Sequence, residues 1–271
     1  MSPQAHREPF GHPTSAPQPH GQPLEGPVGH VLHALSEGDI EVRGRIPWSS
    51  NATFLVVVRA PSRGAAEALA GDANRGLPAI YKPVSGERQL RDFPSGLAKR
   101  EVAAYELSAY LGWDLVPPTI GRDNCPMGPG SLQYFVEALF DEHYFTLLRQ
   151  PAYRRALRTM AVFDIVANNA DRKAGHCLVD GNGHVWAIDN GLCFHVEPKL
   201  RTVIWDFAGE RVPDDLLEDL GPLAEGSVPG TLESLLDDRE IAALTERADA
   251  VRSRPYYPEP PDELAYPWPL I

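Results

Sequence analysis

"NNADRKAGHCLVDGNGHVWAIDNGL", residues 168–192, sets Asp171, His176 and Asp189 at the two edges of one short hairpin pattern. "CLV" and "HVWAI" have strand character, and "DGNG" between them is a turn signal. Antiparallel strands bring their outer ends together. Asp171 and His176, just before the hairpin, should therefore meet Asp189 just after it. Two neighbouring carboxylates repel unless a cation or a proton separates them. A hard cation with oxygen ligands is the natural resolution.

Working outward, "PAYRRALRTMAVFDIVAN" before the hairpin predicts a long helix, with Tyr153, Leu157, Met160 and Phe163 near one face. After the hairpin, "VPDDLLEDL" and "LDDREIAALTERADAV" read as helices. Towards the N-terminus, "VGHVLHALSEG" reads as a short helix. "IEVRGRI", "ATFLVVVRA", "PAIYKPV" and "SLQYFVEAL" read as strands, with "PWSSN" the turn between the first two. A further helix, "LAKREVAAYELSAYLG", has Val102, Tyr105, Ala109 and Leu111 at helical spacing and stops at Gly112. A mostly β first half thus precedes a mostly α second half, an α+β pattern with two lobes. The expected organisation is a disordered Pro-rich tail over 1–27, an N-lobe over 28–140, a C-lobe over 141–254 and a Pro/aromatic strap over 255–271. The tail reading rests on seven prolines and one aromatic residue, too little apolar surface to order itself. The strap holds Tyr256, Tyr257, Tyr266 and Trp268, and could lie along the folded body or hang free.

A chain of 271 residues with 43% hydrophobic and 23% charged residues can bury a sizeable core. The net charge of -12 argues against nucleic acid or anionic lipid as a partner held by overall attraction. Three cysteines without a CxxC pair speak against a disulfide framework or a zinc knuckle. No signal peptide and no apolar run of bilayer length is read, so a cytoplasmic protein without integral membrane association is expected.

The residues match the parts that phosphoryl transfer requires, in the required order. Ser49, Ser50 and Asn51 lie in the first turn, where small polar groups and backbone N–H donors can meet phosphate oxygens. Lys82 lies in the third strand and is one of only four lysines, against 21 arginines. It is the candidate grip on the phosphates, the alternative being a surface lysine on an edge strand. Glu101 is read as opening the next helix, where it could orient Lys82 or favour the helix dipole. Asp171 is the candidate general base, and His176 follows it by five residues, where a second ligand belongs. Asp189, before "NG", is the candidate metal ligand. Asp171 and Asp189 taken singly could also be plain turn aspartates. Arg172 and Lys173 are candidates for charge contact with the transferred phosphate, or else solvated loop charges. The loop "SGERQLRDFPSGLAK", residues 85–99, could be a lid, an acceptor-recognition loop or a variable surface loop.

"IYKP", "REVAAYELSAYLGWDLVPPT", "NNADRKAGHCLV" and "AIDNGL" together resemble the phosphatidylinositol 3-/4-kinase-like group of atypical kinases. The likeness, strongest to type II phosphatidylinositol 4-kinases and to actinobacterial members of the group, spans roughly residues 38–208. It implies a two-lobed kinase-like fold that uses ATP with Mg²⁺ or Mn²⁺. It also implies Lys82 as phosphate grip, Glu101 as its partner, Asp171 as base and Asp189 as metal ligand. "LQYFVEAL" is similar to the segment that leads into the hinge, which implies that Glu137, Ala138 and Leu139 pass the adenine. One position departs: the group has Asn where His176 stands. Imidazole is a poor Mg²⁺ ligand, which leaves His176 a preference for Mn²⁺, a phosphate contact or a packing role.

The leading expectation is an ATP-dependent phosphotransferase whose acceptor is a protein, a lipid or a small molecule. The absence of a polybasic run or lipidation motif leans towards a soluble acceptor. The alternatives are a nucleotide-binding pseudokinase without turnover and nucleotidyl transfer to protein on the same fold. Oligomeric state is left open.

Overall fold

The largely apolar stretch "LPAIYKP" forms the central strand of the first half of the fold. The computed structural model describes residues 27–47, 49–59 and 76–271. The tail expected over 1–27 lies outside these residues except for Pro27. In strand β3 (Leu77–Pro83), Leu77, Ala79, Tyr81 and Pro83 are buried while Pro78, Ile80 and Lys82 take the other face, the period of two that a pleated strand imposes. β3 pairs antiparallel on both sides, with β2 (Phe54–Arg59) and β5 (Gly130–Tyr134). The alternative of an edge-strand lysine at Lys82 therefore falls away. β1 (Asp39–Arg45) and β4 (Thr119–Arg122) complete a sheet of order β1-β2-β3-β5-β4.

Helix α1 (Pro27–Glu37) packs Ala34 and Leu35 on Val56, Val58, Ala79 and Leu132 of this sheet. The Arg122 guanidinium closes that helix by donating to the carbonyls of Leu35 (3.0 Å) and Gly38 (2.7 Å), where a cation also meets the negative end of the helix dipole. The strand expected over 131–139 stops at Tyr134. Phe135 still donates to the Pro78 carbonyl (3.1 Å), but Pro78 has no N–H with which to answer.

Helix α2 (Leu97–Tyr110) differs from the expectation in one respect. Glu101 stands in its second turn rather than at its opening. The orphan N–H groups at the helix start belong instead to Glu87, whose carboxylate accepts from Gly96 (3.0 Å) and Ala98 (2.7 Å). The 85–99 loop is thus folded back on the helix it precedes. Ala109, expected on the apolar face, is exposed, and Ser108 is buried in its place. Its hydroxyl accepts from the N–H groups of Leu115 (2.9 Å) and Val116 (3.2 Å).

The chain forms two compact units. The first comprises the described residues up to Val102 together with Pro118–Phe135; the second comprises Ala103–Pro117 and Val136–Ile271. Unit two is mostly helical. It holds α3 (Tyr144–Leu147), α4 (Arg154–Ala167), the hairpin β6 (Cys177–Val179) and β7 (Val185–Ala187), then α5 (Asp214–Asp219), α6 (Gly221–Ala224), α7 (Gly230–Leu235) and α8 (Asp238–Ser253). Leu157, Met160 and Phe163 of α4 are fully buried, and α8 packs on α4 and α6. α8 starts on a capping box: Asp237 accepts from the Glu240 N–H (2.9 Å) while Glu240 accepts from the Asp237 N–H (3.0 Å).

Removal of the Glu87 carboxylate should loosen the start of α2. Glu87→Ala is expected to cost about 1 kcal/mol, the usual worth of a side-chain cap, and to lower the melting temperature by roughly 2–4 °C. A thermal or urea melt checks this, and an unchanged midpoint would refute the capping role.

Candidate active site

In unit one, Lys82 donates an ion-paired hydrogen bond to Glu101. Their side chains are 19% and 4% exposed. Lys82 is positioned by β3 and Glu101 by the second turn of α2. A buried glutamate is tolerable only when it is paired, and here it fixes the ammonium in direction. In the β1–β2 turn the Ser49 hydroxyl meets the Thr53 hydroxyl (2.8 Å). The Asn51 side-chain oxygen accepts from the Arg88 N–H (2.9 Å), and Ala52 donates to the Gly86 carbonyl (3.0 Å). Ser50 is exposed. A side chain at Gly86 would place its Cβ 2.5 Å from that of Ala52, so glycine is what lets the turn and the 85–99 loop approach.

In unit two, helix α4 ends at Asn168, a left-handed residue (φ 53°, ψ 53°), as asparagine readily does at a helix C-terminus. Its amide donates to the carbonyls of His195 (2.8 Å) and Glu197 (2.7 Å) and accepts from the Lys199 N–H (2.8 Å). Asn169 then turns the chain: its side chain donates to Asp164 (3.0 Å) and accepts from the Asp171 N–H (3.0 Å).

Asp171 follows on a half-buried loop, 26% exposed, with Lys173 Nζ donating to its carboxylate at 2.9 Å. Burial pushes its pKa above the ordinary 3.8; the Lys173 hydrogen bond and charge pull it back, and the Asp189 charge pushes it up again. Asp189 therefore lies close enough to be felt. The hairpin pairs Cys177 with Ala187 and Val179 with Val185, and the His176 carbonyl accepts from the Ile188 N–H (3.0 Å). His176 Nε2 lies 3.4 Å from Asp189 Oδ2, and its Nδ1 lies 3.0 Å from the Asp171 carbonyl. The three residues at the hairpin's edges are thus brought together in unit two. Asp189 itself has φ 58°, and the buried Phe194 has φ 67°. Such strain on bulky or charged residues gathers at functional sites.

Arg172 corrects an expectation. It is fully buried, and its charge is directed to internal partners rather than to solvent. Its guanidinium donates to both Asp164 oxygens (2.9 to 3.1 Å), to the Ile188 carbonyl (2.7 Å) and to Asn190 (2.6 Å). Burial works against its charge, but Asp164 beside it raises its pKa. Asp164 also accepts from the Thr202 hydroxyl (3.2 Å). Sequence reading missed Asp164, Asn190 and Thr202. A signal existed for Asp164: it falls on the apolar stripe of α4, seven residues after Leu157, where a lone carboxylate needs a partner.

At the expected adenine segment, Leu139 has both backbone groups engaged: its N–H donates to Val179 (2.8 Å) and its carbonyl accepts from Glu142 (2.9 Å). Ala138 beside it forms an antiparallel bridge with Asp180, so this segment is tied to the hairpin strand β6 and its turn. Among the described residues no three His, Cys, Asp or Glu side chains are grouped to hold a metal ion, and no helix is long and apolar enough to cross a membrane. The Asp189 carboxylate at the hairpin edge still suits Mg²⁺, whereas the His176 imidazole beside it does not. That ion is normally held by one or two carboxylates, the remaining positions being filled by substrate phosphates and water rather than by a protein cage.

The α+β fold, with its β-rich first unit and helical second unit, is the protein-kinase-like fold. The structure of hydra Fam20 with sugar matches it at a TM-score of 0.52, with 14% identity over 85% of this chain and 89% of that chain. The Helicobacter pylori proinflammatory kinase CtkA matches at a TM-score of 0.44, with 11% identity over 86% and 95% of the two chains. Residues 118–227 match the family described as phosphatidylinositol 3- and 4-kinase. Protein Rv2133c of Mycobacterium tuberculosis is 40% identical over 274 residues, covering 88% of this chain and 94% of that protein. The chain belongs to the family of Protein Rv2133c, within the phosphatidylinositol 3-/4-kinase-like atypical kinases. A kinase-type phosphotransferase is the activity class this defines.

Asp164→Ala leaves the Arg172 charge buried without its partner and should cost about 3–5 kcal/mol, read by chemical denaturation; a loss near zero would mean the pair is dispensable. Asp171 has a folded pKa above its unfolded value, so its contribution favours the folded state at low pH. That advantage is lost as the pH rises from the ordinary 3.8 through the raised value. Stability curves of the wild type and Asp171→Asn should therefore converge towards acid pH and separate above it in favour of the variant. Parallel curves would remove the shift.

Proposed function

We propose that this chain transfers the γ-phosphate of ATP to a hydroxyl of an acceptor, with Asp171 as general base. The observation that carries this reading is the half-buried Asp171 carboxylate, held by Lys173 and facing the field of Asp189. The acceptor oxygen attacks the γ-phosphorus and its proton passes to Asp171. The bond from phosphorus to the β–γ bridging oxygen breaks, and ADP leaves with the electron pair.

Lys82, aimed by Glu101, grips the nucleotide phosphates, and the backbone of the turn at Ser49, Ser50 and Asn51 covers them. Glu137, Ala138 and Leu139 pass the adenine. Asp189 and His176 would hold Mg²⁺ or Mn²⁺, which when bound neutralises charge on the phosphate oxygens. The Asp189 carboxylate suits either ion, and the imidazole of His176 suits Mn²⁺ better. The half-buried Lys173 keeps the Asp171 carboxylate oriented and offsets its charge. The acceptor is a protein, a lipid or a small molecule, with a soluble one favoured by the acidic chain.

Binding and turnover should separate by residue. ATP with Mg²⁺ or Mn²⁺ should raise the melting temperature by mass action, and Lys82→Ala should largely abolish the rise. Asp171→Asn should keep that rise yet lower phosphate release from ATP by about 10²–10⁴-fold, the usual effect of losing a general base. Asp189→Asn should lose binding and turnover together. Wild-type turnover in Asp171→Asn would overturn the assignment of the base.

A further inference from the structure

The loop that carries Asp171 hangs from three separate segments. The N–H groups of Ala170, Arg172 and Ala174 donate in turn to Leu192 (2.8 Å), Arg201 (3.0 Å) and Leu270 (2.8 Å). The first two acceptors lie in the chain that follows the hairpin. The third lies far along the sequence, in the Pro/aromatic segment that ends the chain. That segment is anchored a second time: the Ala265 carbonyl accepts from the Thr202 N–H (3.0 Å) and from Trp205 Nε1 (3.3 Å). Thr202 is the residue whose hydroxyl reaches Asp164 and whose backbone bridges Arg172. Residues 265–270 therefore touch the loop directly at Ala174 and indirectly through Thr202.

Little apolar burial holds the segment itself. Ala265 and Pro267 are buried, but Leu264, Trp268 and Ile271 are exposed, Trp268 to 86%. A segment so placed adds little to the core. Its tight connections are backbone hydrogen bonds to the loop and to the loop's neighbour.

We propose that residues 265–270 are a positioning clamp for the Asp171 loop, acting through the carbonyls of Ala265 and Leu270. The geometry stands by itself, while its effect on turnover rests on the phosphotransferase reading above. The clamp holds Ala174, three residues past the base, so that Asp171 keeps its direction while the acceptor reacts. Small displacements of a reacting group are costly: about 1 Å can lower a rate roughly 100-fold.

Amide hydrogen exchange and steady-state ATP hydrolysis on the full chain, and on a chain shortened after Tyr266, test this. In the full chain the Ala174 and Thr202 amides should both be protected; exchange of Ala174 at the rate of an open amide would overturn the clamp. Shortening should speed exchange at Ala174 by about tenfold or more, as expected when a local hydrogen bond is lost. It should lower kcat for phosphate release by about 10- to 100-fold with KM for ATP unchanged. It should also leave the melting shift by ATP and metal in place. A purely structural role would instead lower kcat and the ATP shift together with global stability. Faster exchange at Ala174 with unchanged kcat would also refute the positioning role. If the shortened chain fails to fold, Tyr266→Ala serves, since it removes only the ring packed at 6.4 Å on Trp205 and should speed exchange at Thr202 and Ala174. Absence of ATP hydrolysis and of an ATP-dependent melting shift in the full chain would sink the phosphotransferase reading, while the exchange data would still decide the clamp.

Discussion

The buried ion pair of Arg172 and Asp164 is the constraint around which unit two is arranged. Both side chains are wholly removed from water, which is costly for each charge taken singly. The arrangement persists because every face of the pair is used. Asp164 receives Arg172, Asn169 and Thr202, while Arg172 reaches Asp164, Asn190 and the Ile188 carbonyl. The pair thus joins α4, the residues after β7 and, through the Asp164 carboxylate, the Thr202 hydroxyl. Asp171 is the residue immediately before this anchor, so the anchor sets where the base can point.

Unit one uses an ion pair differently. Lys82 and Glu101 are also paired, but the lysine keeps 19% of its side chain open while the glutamate is almost closed off. A buried carboxylate aims a partly open ammonium, and lysine presents three donors on one charged tip. Arg172 stabilises a shape through a planar fork, whereas Lys82 keeps part of its ammonium open beside Glu101. The distinction between the guanidinium and the ammonium is visible here within one chain.

Local rules are broken where chemistry is expected. Asp189 and Phe194 sit in the left-handed region, and Asp171 carries a raised pKa. Asp114, outside these residues, also has positive φ (50°), while other local choices agree with the fold: asparagine ends α4, a capping box starts α8 and glycine allows the contact at Ala52. Natural proteins concentrate their exceptions at functional sites, where the surrounding structure holds them.

Much of the fold was legible from period and punctuation alone. The strand character of "PAIYKPV", the turn in "DGNG" and the apolar stripe of α4 are local signals, and local signals are written in neighbouring residues. The meeting of His176 with Asp189 was legible for the same reason, since a hairpin must return its ends to each other. Partnership across long separations was not. Arg172 reads as a loop charge beside Lys173, and only the tertiary structure sends one inward to Asp164 and leaves the other at the surface of the loop. The cap of α2 comes from Glu87, ten residues before the helix begins, a choice made by a folded loop rather than by composition. Ala174 finds its acceptor at Leu270, nearly a hundred residues later. Sequence specifies what each residue can bond, but burial decides which bond is compulsory, and burial exists only once the chain has closed around it.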